Sequence, residues 1–102
     1  MKNEHSFNSL HKSLLEFDNH NSVIFLFNKK AKLHGYIAFH RGGFRVPSFG
    51  ATRFWEYDNE VDALKDALRL SKIMSYKNAL AGLPYGGAKA VLMKPKTGKY
   101  KK

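Results

Sequence analysis

Met74-Ser75-Tyr76-Lys77-Asn78-Ala79-Leu80-Ala81-Gly82-Leu83-Pro84-Tyr85-Gly86-Gly87-Ala88-Lys89 is the stretch around which the rest of the chain is arranged. It runs from the end of a predicted helix, through a Pro/Gly turn, to a lysine that opens a predicted strand. Gly82 and Pro84 stop the helix. Two lysines, Lys77 from the helix and Lys89 from beyond the turn, are brought towards a backbone stripped of side chains at Gly86 and Gly87. Taken singly, a lysine near a helix C-terminus is explained by the helix dipole, and Lys89 by an exposed strand edge. Taken as a pair, they admit a second reading, a site for a small anion, because adjacent glycines let a ligand's carboxylate or carbonyl come close. Pro47-Ser48-Phe49-Gly50-Ala51-Thr52-Arg53 is another segment of bare backbone. The two segments are expected to form one pocket.

Outward from this stretch, the apolar residues keep helical spacing. Leu64, Ala67, Leu68, Ser71, Met74, Ser75 and Asn78 fall on one face, so the helix is expected over about 59–80. Asp58 or Asn59 can cap it, and Glu60 and Asp62 stand in the first turn, where the dipole favours acids. Ala90-Val91-Leu92-Met93 reads as a short apolar strand after Lys89. Upstream, Val23 to Phe27 is β-branched and aromatic and reads as a buried strand. Leu33 to His40 reads as its hairpin partner across a turn at Asn28 to Ala31, with the register left open. Arg41 to Pro47 reads as a loop, and Thr52 to Tyr57 as a third strand. Leu10, Leu14, Leu15 and Phe17 imply a short amphipathic helix over about residues 6–17. Strand, strand, strand, helix, strand is the order of an α/β fold: a small mixed β-sheet with helices packed on it.

Composition narrows the function. A chain of 102 residues with 43% hydrophobic content and eight Phe fits one packed domain. No apolar run is long enough to span a bilayer, and the N-terminus leads into no apolar signal region, so the cytoplasm is the default compartment. There is no cysteine, which excludes disulfides and thiolate metal sites. The net charge of +10 favours polyanionic partners in general. Five of the lysines, however, lie between Lys94 and Lys102 with no acid among them, and no nucleic-acid motif accompanies the charge. That segment is read as a basic C-terminal tail, residues 94–102, following a domain of residues 1–93, and specific nucleic-acid binding ranks last. The histidines at 5, 11, 20, 34 and 40 have no helical metal-ligand spacing with a carboxylate partner. They are read as ordinary surface or strand residues, with no metal site. Gly42-Gly43 and Gly50-Ala51 are generic turn signals, and no Gly-x-Gly-x-x-Gly follows a strand and opens a helix.

Thr52-Arg53, Asp66-Ala67-Leu68-Arg69-Leu70-Ser71-Lys72, Tyr76-Lys77-Asn78-Ala79 and Gly86-Gly87-Ala88-Lys89 together resemble the glutamate/leucine/phenylalanine/valine dehydrogenases. The resemblance runs from about Leu14 to Lys94 and is to the N-terminal, substrate-binding and oligomerisation domain of that family. It implies oxidative deamination of an L-amino acid to its 2-oxo acid with NAD or NADP, by a homo-oligomer. By position, Lys77 resembles the lysine that binds the substrate α-carboxylate, and Lys89 the catalytic lysine that polarises the reacting carbon's oxygen and activates water. A lysine desolvated beside another cation is pushed towards neutral pH, which suits proton exchange. Gly50 resembles the glycine whose backbone lies against the substrate, while Phe49 and Met74 resemble side-chain pocket residues. Glutamate-specific members place a lysine where Phe49 stands, so the resemblance is closer to the branch that uses leucine, valine or phenylalanine. Ala51 stands where the leucine branch usually has a second glycine, which narrows the approach to the backbone.

The family's catalytic aspartate and its nicotinamide-binding Rossmann domain lie beyond Lys102. The chain alone is therefore expected to bind no cofactor and to be inactive, as a fragment or as a truncated product. A non-catalytic oligomerisation or interaction module is the alternative.

Overall fold

A computed structural model of the chain describes residues 14–42 and 48–95; for Ser48 and Phe49 it describes the backbone alone. The elements run β1 (Ser22–Asn28), β2 (Leu33–Phe39), β3 (Ser48–Trp55), α1 (Glu60–Leu80) and β4 (Gly86–Met93). The strands form one mixed sheet in the order β1-β2-β4-β3. β1 pairs antiparallel with β2, β2 antiparallel with β4, and β3 parallel with β4. The last pairing requires a crossover, and α1 supplies it by packing back over β4 and β2. This is the α/β architecture expected, with a single helix among the described residues.

The helix ends are set by local chemistry. Asn59 caps α1: its side chain accepts from the Asp62 N–H at 2.9 Å, and Glu60 and Asp62 occupy the first turn. At the other end the Gly82 N–H donates to the Ala79 carbonyl and the Leu83 N–H to the Asn78 carbonyl. This pair of bonds closes a Schellman motif. Gly82 takes φ +73°, a conformation glycine adopts without penalty. The face that α1 buries carries Ala63, Leu64, Ala67, Leu68 and Ser71, which meet Ala38 of β2 and Val91 of β4. Leu64, Leu68 and Val91 are at most 2% exposed, each contributing on the order of 1.5–3 kcal/mol through burial.

Three expectations are corrected. β1 is not a buried strand: it is an edge, with Ile24, Phe25 and Phe27 45%, 48% and 62% exposed, because α1 packs chiefly over β4 and β2. β3 begins four residues before its expected start, at Ser48, and β4 begins at Gly86, three residues before the lysine expected to open it. Gly86 and Gly87 are therefore strand residues already paired with Ser48 and Phe49, and Lys89 lies inside β4 instead of opening it. The helix expected over 6–17 lies mostly outside the described residues; within them, Leu14 to Phe17 form a turn closed by the Phe17 N–H on the Leu14 carbonyl at 3.1 Å. The open register of the hairpin resolves as Ser22 opposite Phe39 through Asn28 opposite Leu33. Residues 96–102 of the expected basic tail lie outside the described residues.

Candidate functional site

The C-terminal end of α1 is fastened to the start of β4 at two points. Asn78, beside Lys77, donates its side-chain amide to the Gly86 carbonyl at 3.0 Å. Ser75 Oγ accepts from the Gly87 N–H at 2.8 Å. The glycines permit this closeness. A Cβ at Gly87 would strike the Ser71 carbonyl oxygen and the Ser75 nitrogen, and one at Gly86 would strike the Arg41 carbonyl. The space left by both missing side chains is thus filled by the chain itself, a different use of the glycine pair from the ligand approach read in the sequence.

Strand alternation fixes the side on which Lys89 stands. Gly87 faces α1 and Val91 enters the core, so Lys89 between them also lies on the helix side of the sheet. It is half-buried, with Ala38 beside it on β2 and Ala51 beside it on β3. Gly50 is the neighbour of Ala88. On α1, the flank turned towards β3 is marked by Asp66, whose carboxylate lies 3.6 Å from Arg53 of β3. That carboxylate also accepts from Tyr57 at 2.7 Å and from Arg69 at 3.0 Å. Burial pushes the Asp66 carboxyl up, but the bonds from Tyr57 and Arg69 outweigh it and hold the group below its ordinary range. Lys77 stands three helical turns after Asp66 on the same flank, and Met74 lies between that flank and the buried face. Lys77 is exposed, Met74 half-buried. Among the described residues, neither Lys77 nor Lys89 has an acidic ion-pair partner.

A hollow of about 190 Å³ over β3 and β4 is lined by Gly50, Ala51 and Lys89, with Ile37, Ala88 and Ala90 on the sheet face away from the helix. Lys77 and Met74 are not part of its wall. Gly50, Ala51 and Lys89 thus border a hollow on the face of the sheet opposite the one on which Lys89 stands, Lys77 and Met74 lie on the helix side, and the Phe49 side chain lies outside what is described. A larger hollow of about 420 Å³ sits at the opposite end of the sheet, beside the His34–Glu60 pair, and includes none of them.

Sequence reasoning missed a polar cluster behind the Gly86-Gly87 segment. His40 is 2% exposed and His20 8% exposed, so neither is an ordinary surface residue. His40 Nδ1 lies 2.8 Å from Ser75 Oγ, and His40 Nε2 lies 2.8 Å from Asp18 Oδ2. His20 Nε2 donates to the Leu68 carbonyl at 2.8 Å, while His20 Nδ1 accepts from the Asp18 N–H at 3.1 Å. The two rings meet edge to face at 4.8 Å. Burial pushes both imidazoles below their ordinary value of 6.5. The hydrogen bond from His40, followed by the charge of Lys72, holds the Asp18 carboxyl below its ordinary range. No local spacing signals this cluster, because Asp18 and His20 meet His40 and Leu68, and His40 meets Ser75, only across 20 or more residues of chain.

No group of three or more His, Asp or Glu among the described residues could hold a metal ion. Nor do these residues fit a nicotinamide dinucleotide. The Gly82 turn follows a helix, and Gly86 and Gly87 open a strand, the reverse of the strand–turn–helix order of a pyrophosphate cradle. The N-terminus of α1, which could hold phosphate, is closed by Asn59 and carries Glu60 and Asp62. No described helix is long and apolar enough to cross a membrane.

Comparison with known proteins agrees with this architecture. Leucine dehydrogenase of Bacillus cereus is 47% identical over 79 residues, which are 78% of this chain and 21% of that protein. Valine dehydrogenase of Streptomyces albus is 45% identical over 74 residues, 72% of this chain and 20% of that one. The chain therefore spans about a fifth of the length of these relatives. The crystal structure of L-tryptophan dehydrogenase from Nostoc punctiforme superposes with a TM-score of 0.71 at 39% identity, over 94% of this chain and 26% of that one. The sequence profile described as "Glu/Leu/Phe/Val dehydrogenase, dimerisation domain" matches residues 22–102. With the mixed sheet, the crossover helix and the Lys77-to-Lys89 connection all in place, this chain belongs to the Glu/Leu/Phe/Val dehydrogenase family of amino-acid dehydrogenases, as its dimerisation domain.

Proposed function

We propose that the chain is the substrate-binding part of an NAD(P)-dependent dehydrogenase that converts an apolar L-amino acid such as leucine, valine or phenylalanine to its 2-oxo acid, in a cytoplasmic homo-oligomer. The observation that carries this reading is the register of β3 on β4, which sets Ala51 beside Lys89 and Gly50 beside Ala88, with Lys77 on the flank of α1 turned towards β3 and Met74 between that flank and the buried face. Two lysines with no acidic ion-pair partner among the described residues favour a carboxylate ligand. Lys77 holds the substrate α-carboxylate as a point charge. Lys89 exchanges a proton with the oxygen that develops on the α-carbon, or with the attacking water. Gly50 and Ala51 present backbone to the substrate, and Phe49 and Met74 receive its apolar side chain.

Hydride transfer requires a nicotinamide ring held against the α-carbon, and the described residues offer no seat for it. The share of the work done here is to bind, orient and exchange a proton. The exposed aromatic face of β1 supports a second role in self-association.

The test is a titration of the 102-residue chain with 4-methyl-2-oxopentanoate, followed by NMR. Amides of Gly50, Ala51, Lys77 and Lys89 should shift together, with a dissociation constant of about millimolar. Shifts confined to Lys94–Lys102 would remove the basis for the substrate site. In the same preparation, leucine with NAD or NADP should give no reduced cofactor. Reduction that is lost in Lys89→Ala would mean that this chain seats the cofactor after all.

A further inference from the structure

We propose that Asp18, His40 and Ser75 form a hydrogen-bonded chain that positions Lys89, by holding both backbone groups of Gly87, two residues before it. The proposal rests on reading Lys89 as a substrate-site residue.

The direction of each bond follows from the groups present. The Gly87 N–H can only donate, and it donates to Ser75 Oγ at 2.8 Å. Asp18, held ionised, can only accept, so His40 Nε2 carries the proton and donates to Asp18 Oδ2 at 2.8 Å. A buried, neutral His40 then has a bare Nδ1, which accepts from the Ser75 hydroxyl at 2.8 Å. All these bonds run one way, from the Gly87 amide to the Asp18 carboxylate, and each polarises the next. The backbone of His40 closes a second tie: its N–H donates to the Gly87 carbonyl at 2.8 Å. The carboxylate end is itself held, by Arg41 at 3.6 Å and Lys72 at 3.9 Å. His20 packs its ring against His40 and is satisfied at both nitrogens, so His40 cannot turn over without breaking that contact.

Carboxylate, imidazole and hydroxyl in this order also describe a nucleophilic triad. Ser75 Oγ, however, spends its proton on His40 and accepts from Gly87, so the chain terminates on a backbone amide and not on an incoming substrate. What the arrangement fixes is the height of β4 against α1, at the point where the strand carries Lys89 past the helix that carries Lys77. A lysine on a flexible stem reaches its target consistently only if its Cα is held, and the bonds to Gly87 hold it from two residues away.

The experiment uses the 102-residue chain, with 4-methyl-2-oxopentanoate as the probe and NMR as the readout. Long-range imidazole nitrogen spectra at neutral pH should show His40 protonated at Nε2 and bare at Nδ1. Ser75→Ala should speed exchange of the Gly87 amide and weaken binding of the probe about tenfold. His40→Asn, whose amide oxygen can replace Nδ1 as the acceptor for Ser75, should retain binding within about threefold, whereas His40→Gln, which can reach Asp18 but not Ser75, should lose about tenfold. Ser71→Ala is the control. Ser71 lies one turn earlier on the same helix face and is fully buried where Ser75 is only half-buried, and its hydroxyl bonds within α1, to the Leu68 carbonyl at 3.0 Å. It should lower stability and leave probe affinity unchanged. Equal affinity in wild type, Ser75→Ala and His40→Gln would overturn the positioning role, and so would an Nδ1-protonated His40, which is measurable without ligand. A wild-type chain whose Gly50 and Lys89 do not respond to the probe would overturn the substrate-site reading, and this proposal with it.

Discussion

Asn78 Nδ2 donates to the Gly86 carbonyl at 3.0 Å, so the residue after Lys77 is bonded to the strand that carries Lys89. Asn78 is 3% exposed and Gly86 is buried, which leaves water little access to either group. Asn78→Leu removes the donor and strands the carbonyl, at a cost of about 1–3 kcal/mol. The urea midpoint should fall accordingly, and the 2-oxo acid should bind more weakly. An unchanged midpoint would mean that the carbonyl had found another donor.

Two glycines in this region are required for different reasons, and substitution separates them. Gly87→Ala places a methyl group against the Ser71 and Ser75 backbone, so α1 and β4 must part. Overpacking of this kind costs about 1–3 kcal/mol or more, and the Lys89 amide resonance should move. Gly82→Ala meets nothing within 4 Å but must hold φ +73°, a strain of about 1–2 kcal/mol. It should lower the melting temperature while leaving the Lys89 resonance where it was.

His20 and His40 make stability fall towards acid pH. Both have folded-state values pushed below 6.5 by burial, more strongly than Asp18 and the Leu68 carbonyl raise them. The unfolded chain therefore takes up protons near pH 6.5 that the folded chain refuses. Their contribution is complete above that value, declines as pH falls through it, and levels off below the folded values. Asp18, depressed from 3.8, loses its own contribution only at still lower pH. Urea midpoints should drop between pH 7.5 and pH 5.5, and the drop should be smaller in His40→Asn, whose amide does not titrate. A midpoint rising over that interval would contradict the sign argued here.

Phe49→Lys, placed in a complete dehydrogenase carrying this domain, should shift preference from leucine, valine or phenylalanine towards an acidic amino acid. An ammonium group facing an apolar side chain is left without a partner, whereas a second carboxylate pairs with it. The ratio of kcat/KM for glutamate over leucine measures the effect. A ratio equal to that of the parent enzyme would show that Phe49 does not reach the substrate side chain.

The sequence by itself determined α1, because what starts and stops a helix is local. Asn59 reaches an N–H three residues away, Gly82 supplies the left-handed turn, and the apolar residues repeat within each turn. It also determined that strands flank this helix. Tertiary structure decided what those elements face. The order β1-β2-β4-β3 leaves β1 at an edge, so an apolar run that reads as core stands half in solvent. Parallel pairing with β3 draws Gly86 and Gly87 into a strand, although as isolated glycines they favour a turn. His20 and His40 find partners 48 and 35 residues away, on Leu68 and Ser75 of α1. Such partners leave no mark in local periodicity. A buried imidazole is tolerated only where distant groups satisfy both of its nitrogens, and only the folded chain brings those groups within reach.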